Sequence, residues 1–301
     1  MVKANQRGMT MSTITKDLAG KTYLVTGANS GIGFEAAKNF ATRGATTIIV
    51  CRSAARGEEA KERLMQLTGN PQVHLYIADF SLLASVSEVA DAILADFPVI
   101  NVLCNNAGGA NVDHTLSAEG FELTFVTNHL SGFLLTQKLL PAIIKGGEQD
   151  LARIVFTSSY GHTQSPLDFD DLGMKKNYKG IQAYGRSKLM NLLTAREVQR
   201  RYSEHNIVAS SFHPGAVRTP IWKKGGTVVR TFALLFYPFM ISIEKGTDTF
   251  IWLASSNDEA SVQANGRYFV KRTPTTPASF ATDEAARTLW QVSMDLVTPY
   301  L

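Results

Sequence analysis

The sequence predicts an α/β fold: a doubly wound, parallel sheet of seven strands in a single domain, with helices on both faces. Three observations predict it. Short runs rich in Val and Ile alternate with stretches whose apolar residues recur every three or four positions. A glycine-rich turn stands directly between the first strand and the first helix. Finally, 45% of the 301 residues are hydrophobic and 19% are charged, enough apolar surface for a sheet buried on both sides.

The elements follow in order. Lys21–Thr26 is an apolar strand, and Ile32, Ala36 and Phe40 then recur at helical spacing. Thr47–Cys51 is the second strand and Glu58–Leu67 the next helix. Val73–Ile77 is the third strand, followed by the stripe Val86, Val89, Ala90, Ile93 and Leu94. Ile100–Cys104 is the fourth strand, with a long helical region over Phe121–Ile144. Arg153–Thr157 is the fifth, and Tyr184–Tyr202 is helical with Leu189, Leu192, Leu193 and Val198 on one side. Ile207–Phe212, the helix Lys245–Ser255 and a short seventh strand, Arg267–Val270, complete the pattern. Ligands of such sheets bind beyond the carboxyl ends of the strands.

Composition excludes several classes. Lys plus Arg number 30 against 26 Asp plus Glu, scattered without blocks, which gives no footing for nucleic acid. The two cysteines, Cys51 and Cys104, stand in strand-like runs and read as buried thiols of a reducing, cytoplasmic setting. The six histidines lack zinc-ligand spacing, so no metal is expected. Residues 1–17 read as a loose leader without a long apolar centre. The catalytic domain is placed at 18–272, and 273–301 is a C-terminal extension with a helix. The longest apolar stretch, Phe232–Ile243, is broken by Tyr237, Pro238 and Ser242. It is too short to span a bilayer, though it could lie against one. A homodimer is left open.

The strand ends carry the ligand chemistry. Gly27, Asn29, Ser30, Gly31, Ile32 and Gly33 form a G-x-x-x-G-x-G turn before an amphipathic helix. Glycines allow a close approach to a pyrophosphate, and the helix start offers free N–H groups. A plain tight turn would use the same glycines. After the second strand, where an acid would meet a ribose 2′-hydroxyl, stand Arg52 and Ser53. A guanidinium pairs with a 2′-phosphate, which favours NADP(H). Asp79, with Phe80 beside it, is placed to meet an adenine amine or to cap the next helix. Asn105 and Asn106 can tie neighbouring strand ends, and Ala107 and Gly108 leave room for a ribose.

Tyr184 and Lys188 lie four apart and share a helix face. An ammonium near a phenol stabilises phenolate and lets it pass protons near neutral pH. Ser158 and Ser159, at a strand's carboxyl end, supply a carbonyl binder. The Asn128 amide could bend its helix and hold a water for a proton relay. His129 reads as helix packing, while His162 lies near enough in sequence to touch a substrate.

TGANSGIG at Thr26–Gly33, NNAG at Asn105–Gly108, Asn128, Ser158-Ser159, YGRSK at Tyr184–Lys188 and HPGAVRT at His213–Thr219 together resemble a classical short-chain dehydrogenase/reductase. The resemblance covers about residues 18–270. It implies a single Rossmann-type domain and a catalytic tetrad of Asn128, Ser159, Tyr184 and Lys188, with Ser159 as the catalytic member of its pair. It also implies that Pro214, Gly215, Val217 and Thr219 approach the nicotinamide and diphosphate, and that Tyr184 and Lys188 touch the cofactor. ANSGIG, Cys51-Arg52 and HPG look more narrowly like the retinol dehydrogenase branch, parts of which protochlorophyllide and WW-domain-containing oxidoreductases share. The segment Gly161–Ile181 resembles an insertion of that branch and is expected beside the active-site mouth.

In that family the stretch at about 219–244 forms a lid. Here it holds Ile221, Trp222, Phe232, Leu234, Leu235, Phe236, Tyr237, Phe239 and Met240, which suits a lipophilic substrate. Candidates are a retinoid, a long-chain aldehyde, or a steroid or polyketide ketone. The implied activity is NADP(H)-dependent reduction of such a carbonyl, or oxidation of the alcohol, with Tyr184 passing the proton and Ser159 holding the oxygen. Reduction of an activated C=C bond by the same residues, and a cofactor-responsive scaffold with little turnover, are the alternatives.

Overall fold

The computed structural model describes residues 15–217 and 240–301. Its sheet runs in the order β3-β2-β1-β4-β5-β6-β7-β8. The strands are β1 (Thr22–Thr26), β2 (Thr46–Cys51), β3 (Val73–Ile77), β4 (Val102–Asn105), β5 (Ala152–Thr157), β6 (Ile207–His213), β7 (Tyr268–Val270) and β8 (Thr273–Pro274). The seven expected strands are present and mutually parallel. A two-residue eighth strand is added, antiparallel to β7. Lys271 and Arg272, at φ 50° and 60°, reverse the chain between the two.

Side chains alternate across the sheet. Leu24, Ile48 and Val50 face a core shared with helices α3 (Leu83–Asp96), α5 (Ser131–Gln149) and α6 (Gly180–Tyr202). Tyr23, Val25, Ile49 and Cys51 face a second core with α1 (Gly31–Thr42), α2 (Ala54–Thr68) and the helix Ile243–Ser255. The C-terminal helix Asp283–Val297 does not project from this body. Its Ala286, Leu289 and Trp290 are buried in the first core, with Trp290 edge-on to Phe133 at 4.9 Å. Among the described residues, no helix is long and apolar enough to cross a membrane.

Two helices differ from expectation in ways that place the site. Helix α6 begins at Gly180, so Tyr184 lies one turn inside it. The region expected as one helix over Phe121–Ile144 is three pieces: α4 (Leu123–Phe125), a π-helical turn (Val126–Leu130) and α5. Glu122 starts it, its carboxylate accepting from the N–H groups of Thr124 and Phe125 at 2.8 and 2.7 Å.

Candidate active site

The chain leaves β1 toward β2 and β3 on one side, and β4 begins the other side, so the carboxyl ends of β1 and β4 flank a crevice. Thr26 holds its two lips together. Its Oγ1 accepts from Asn106 N and Ala107 N, each at 2.9 Å, and donates to Cys104 O at 3.3 Å. The Asn106 side chain returns the tie, Nδ2 donating to Thr26 O at 2.8 Å. Asn105 does not take part. One residue earlier on a strand it faces the opposite way, and its Nδ2 donates to Thr136 Oγ1 on α5 at 2.9 Å. The glycines are needed for this closeness. Gly27 has φ +68°, and a Cβ at Gly33 would stand 2.5 Å from Asn106 Nδ2.

At the start of α1, Ser30 makes no side-chain cap, so the first N–H groups have no hydroxyl to satisfy them. Asn29 and Ile32 stand half-buried on this loop and Gly31 turns it at φ +62°. Beneath lies Cys51, whose thiol receives the backbone N–H groups of Ala28 and Asn29 and is pushed up to about 11 by burial. Arg52, next in the chain, is exposed and has no hydrogen bond or ion pair among the described residues. Ser53 caps α2, accepting from Arg56 N at 3.5 Å. One oxygen of Asp79 is committed to Ser81, through N at 2.9 Å and Oγ at 2.8 Å. Phe80 is buried, and its carbonyl accepts from Ser131 Oγ at 2.7 Å. That leaves its main-chain N–H as the group it can offer a ligand.

Asn128 sits in the π-helical turn, buried. Its Oδ1 accepts from Gly109 N at 2.8 Å, and its Nδ2 donates to Gly109 O at 2.8 Å and Ser187 Oγ at 2.9 Å. Ser187 Oγ in turn donates to Tyr184 O at 2.7 Å. The amide expected to hold a water is thus engaged by protein, and it locks the loop after β4 to the turn of α6 that carries Tyr184.

The two serines after β5 divide by the same alternation. Ser158 is buried and donates to Lys188 O at 2.7 Å, fixing α6. Ser159 is half-buried, and its Oγ accepts from Gly161 N at 3.2 Å, which leaves the hydroxyl proton free to donate elsewhere. Burial raises the Tyr184 phenol, and a side-chain hydrogen bond with Ser159 draws it back down. The Lys188 ammonium lies 5.5 Å from the Tyr184 ring centroid. It is 3% exposed, its one acceptor among the described residues is Thr157 O at 3.2 Å, and burial pushes it down to about 8. A Cβ at Gly108 would stand 3.3 Å from Nζ, so the glycine keeps the space beside the ammonium open. With Ala107 half-buried beside it, this is a cradle lined by unspent donors. A helix start without a cap, a free guanidinium and a buried ammonium with N–H groups to spare fit an anionic, hydroxyl-rich ligand.

After β6 and Pro214, Gly215 (φ +88°) and Val217 run against Ile241, with Ile241 N donating to Ala216 O at 3.0 Å, while Pro214 O lies toward Gly246. Thr219 and the expected lid, at about 219–244, lie outside the described residues up to 239; of its end, Met240 is buried and Ile243 starts a helix. His162 does not face a ligand. It is fully buried, between Ser159 O and Ala278 N. His129 packs as expected, between Phe125 and Phe133, with Nε2 2.8 Å from Ser293 Oγ. The inserted segment is pinned rather than loose: Tyr178 OH donates to Glu122 Oε1 at 3.0 Å, and Arg186 donates to Asp171 O at 3.0 Å. Thr26, Thr157, Ser187 and Glu122 were not singled out from the sequence. Thr26 had a signal, a hydroxyl at the last position of the strand before the glycines.

The family model described as short chain dehydrogenase matches residues 21–227. A Streptomyces sp. (strain C5) protein, by its name a candidate daunorubicin C-13 ketoreductase, is 39% identical over 279 residues, 92% of each chain. Human retinol dehydrogenase 12 is 34% identical over 282 residues, 93% of this chain and 87% of its own. A Sphingobium yanoikuyae short-chain dehydrogenase solved in complex with NADPH superposes with a TM-score of 0.61 at 27% identity, covering 77% of this chain and 82% of that one. With the crevice, the glycine turn and the Tyr184–Lys188 pair already in place, these matches make the chain a member of the short-chain dehydrogenase family.

Proposed function

We propose that this protein is an NADP(H)-dependent oxidoreductase that interconverts lipophilic carbonyls and alcohols. The observation that carries the reading is Lys188: a buried ammonium with one acceptor among the described residues, set beside the Tyr184 ring and facing the space kept open by Gly108. A buried cation this poorly paired is costly unless a ligand completes it. Ribose hydroxyls would do so. The uncapped start of α1 suits a diphosphate, and Arg52, exposed at the end of β2 with no partner among the described residues, suits a 2′-phosphate.

When bound, the nicotinamide supplies the hydride for reduction and takes it up for oxidation. The chain's own residues do the rest. Ser159, its Oγ already accepting from Gly161 N, donates to the substrate carbonyl oxygen. Tyr184 gives that oxygen its proton, and Lys188 stabilises the phenolate left behind. Asn128 acts through position, holding the Gly109 loop and the Ser187 turn in register.

Apolar side chains near this mouth support a lipophilic substrate. Tyr160, next to Ser159, is 58% exposed, and Ile181, one turn before Tyr184 on α6, is 83% exposed. Within that class we favour a ketone of polyketide type, on the 39% identity to the Streptomyces relative against 34% to the retinol dehydrogenase, with retinoids second. The test is NADPH consumption with an anthracycline ketone, all-trans-retinal, a steroid ketone and decanal, with product analysis. Formation of the carbinol is expected. Binding of NADPH without turnover of any of them, or deuterium from labelled NADPH appearing on an alkene carbon, would replace this reading.

A further inference from the structure

Ser159 opens a 3-10 turn, Tyr160–Gln164, and its carbonyl accepts twice from one residue. His162 donates to it through its main-chain N at 3.2 Å and through ring Nδ1 at 2.7 Å. The other ring nitrogen, Nε2, lies 3.4 Å from the main-chain N of Ala278, 116 residues along the chain. A backbone N–H can only donate, so Nε2 carries the lone pair and Nδ1 the proton. The ring is fully buried, edge-on to Tyr268 at 4.9 Å. Ser165, just after the turn, closes it by donating from Oγ to Gly161 O at 3.1 Å, and Gly185 on α6 leaves both groups room. Because Ser159 Oγ accepts from Gly161 within this turn, the aim of its hydroxyl proton follows wherever the turn is held.

We propose that His162 is a positioning residue for Ser159, an uncharged Nδ1–H strut anchored on the Ala278 amide that holds the serine carbonyl and so aims the hydroxyl. The segment after β8 thereby becomes part of the active-site framework. The proposal rests on the reading of Ser159 given above as donor to the substrate carbonyl.

Three substitutions separate the strut's two ends. His162→Asn keeps a donor near the Nδ1 position, His162→Gln reaches instead toward Ala278, and His162→Phe keeps the ring against Tyr268 without either bond. With the carbonyl of the above panel that is reduced fastest, His162→Phe should lower kcat by about 10- to 100-fold. The Kd for NADPH, read by fluorescence titration, should stay within about twofold. His162→Asn should recover most of the rate and His162→Gln should not. Should His162→Phe fail to fold, the Asn and Gln pair decides alone. Equal losses in that pair, or losses that appear equally in NADPH binding, overturn the proposal. In a Ser159→Ala background, His162→Phe should cost nothing further, and additive losses also overturn it. Nitrogen-15 spectra of the wild-type holoenzyme should show His162 protonated on Nδ1 alone, and the opposite tautomer overturns the strut directly. Ser159→Ala at the wild-type rate would instead remove the reading of Ser159 on which the strut's function depends, while leaving the tautomer result to stand as a structural one.

Discussion

Removing the phenolic oxygen of Tyr184 takes away a proton donor and leaves the ring packing that Lys188 lies against. Tyr184→Phe should therefore keep NADPH affinity and lose about 10²- to 10⁴-fold in turnover. Steady-state rates beside a fluorescence titration check both halves, and a turnover within a few-fold of wild type would end the assignment. Lys188 gives a pH signature. Burial brings its ammonium from an ordinary 10.5 down to about 8. Below that pH the charge is present to meet ribose hydroxyls and to stabilise phenolate, and above it both are lost. NADPH binding to the free enzyme should accordingly weaken as pH rises through about 8. In Lys188→Arg, which stays charged, the pH dependence should vanish even though affinity falls.

At the scale of the element, the end of β2 sets the choice of dinucleotide. Arg52 has no partner to lose among the described residues, so Arg52→Ser should spare the fold and weaken NADPH by about 10- to 100-fold, one charge-assisted hydrogen bond. NADH binding should hardly change, and the two dissociation constants at one salt concentration decide it. An acid placed at Cys51 would be a poorer test, because that side chain lies buried under the glycine loop. The strands, the glycine turn and the Tyr184–Lys188 pair were legible because each is a local pattern, a short apolar run or a spacing of four. Strand alternation could also have told Asn105 from Asn106, and Ser158 from Ser159, since neighbours on a strand face opposite ways. Other features were not legible. His162 and His129 each have one partner, Ala278 and Ser293, more than a hundred residues away in the C-terminal segment, and no local period announces these. Two residues ending in Pro274 carry no strand pattern either. The earlier start of α6 was hidden by Gly180, a helix-weakening residue kept because a Cβ there would meet Asn111 O at 2.3 Å.

Across the whole molecule, buried uncharged histidines tie stability to acid. Burial takes His129 from 6.5 down to about 3, and takes His213 down to about 4. A histidine depressed in the fold contributes its full stability above the unfolded value. That contribution is lost as pH falls from about 6.5 toward the folded value, because only the unfolded chain takes up the proton. The Tm should therefore fall on acidification through this window, and His129→Gln should flatten the slope. A Tm independent of pH between 6.5 and 4 would contradict it. The same C-terminal region that receives His129 also finishes the sheet, and its last strand has a consequence for self-association. Edge strands invite other chains to add on through open N–H and C=O groups. At this margin the open edge is two residues long, and Pro274 brings no N–H to it. A second molecule seeking to prolong the sheet here finds almost no ladder to join, so the margin is guarded against strand-by-strand growth into aggregates.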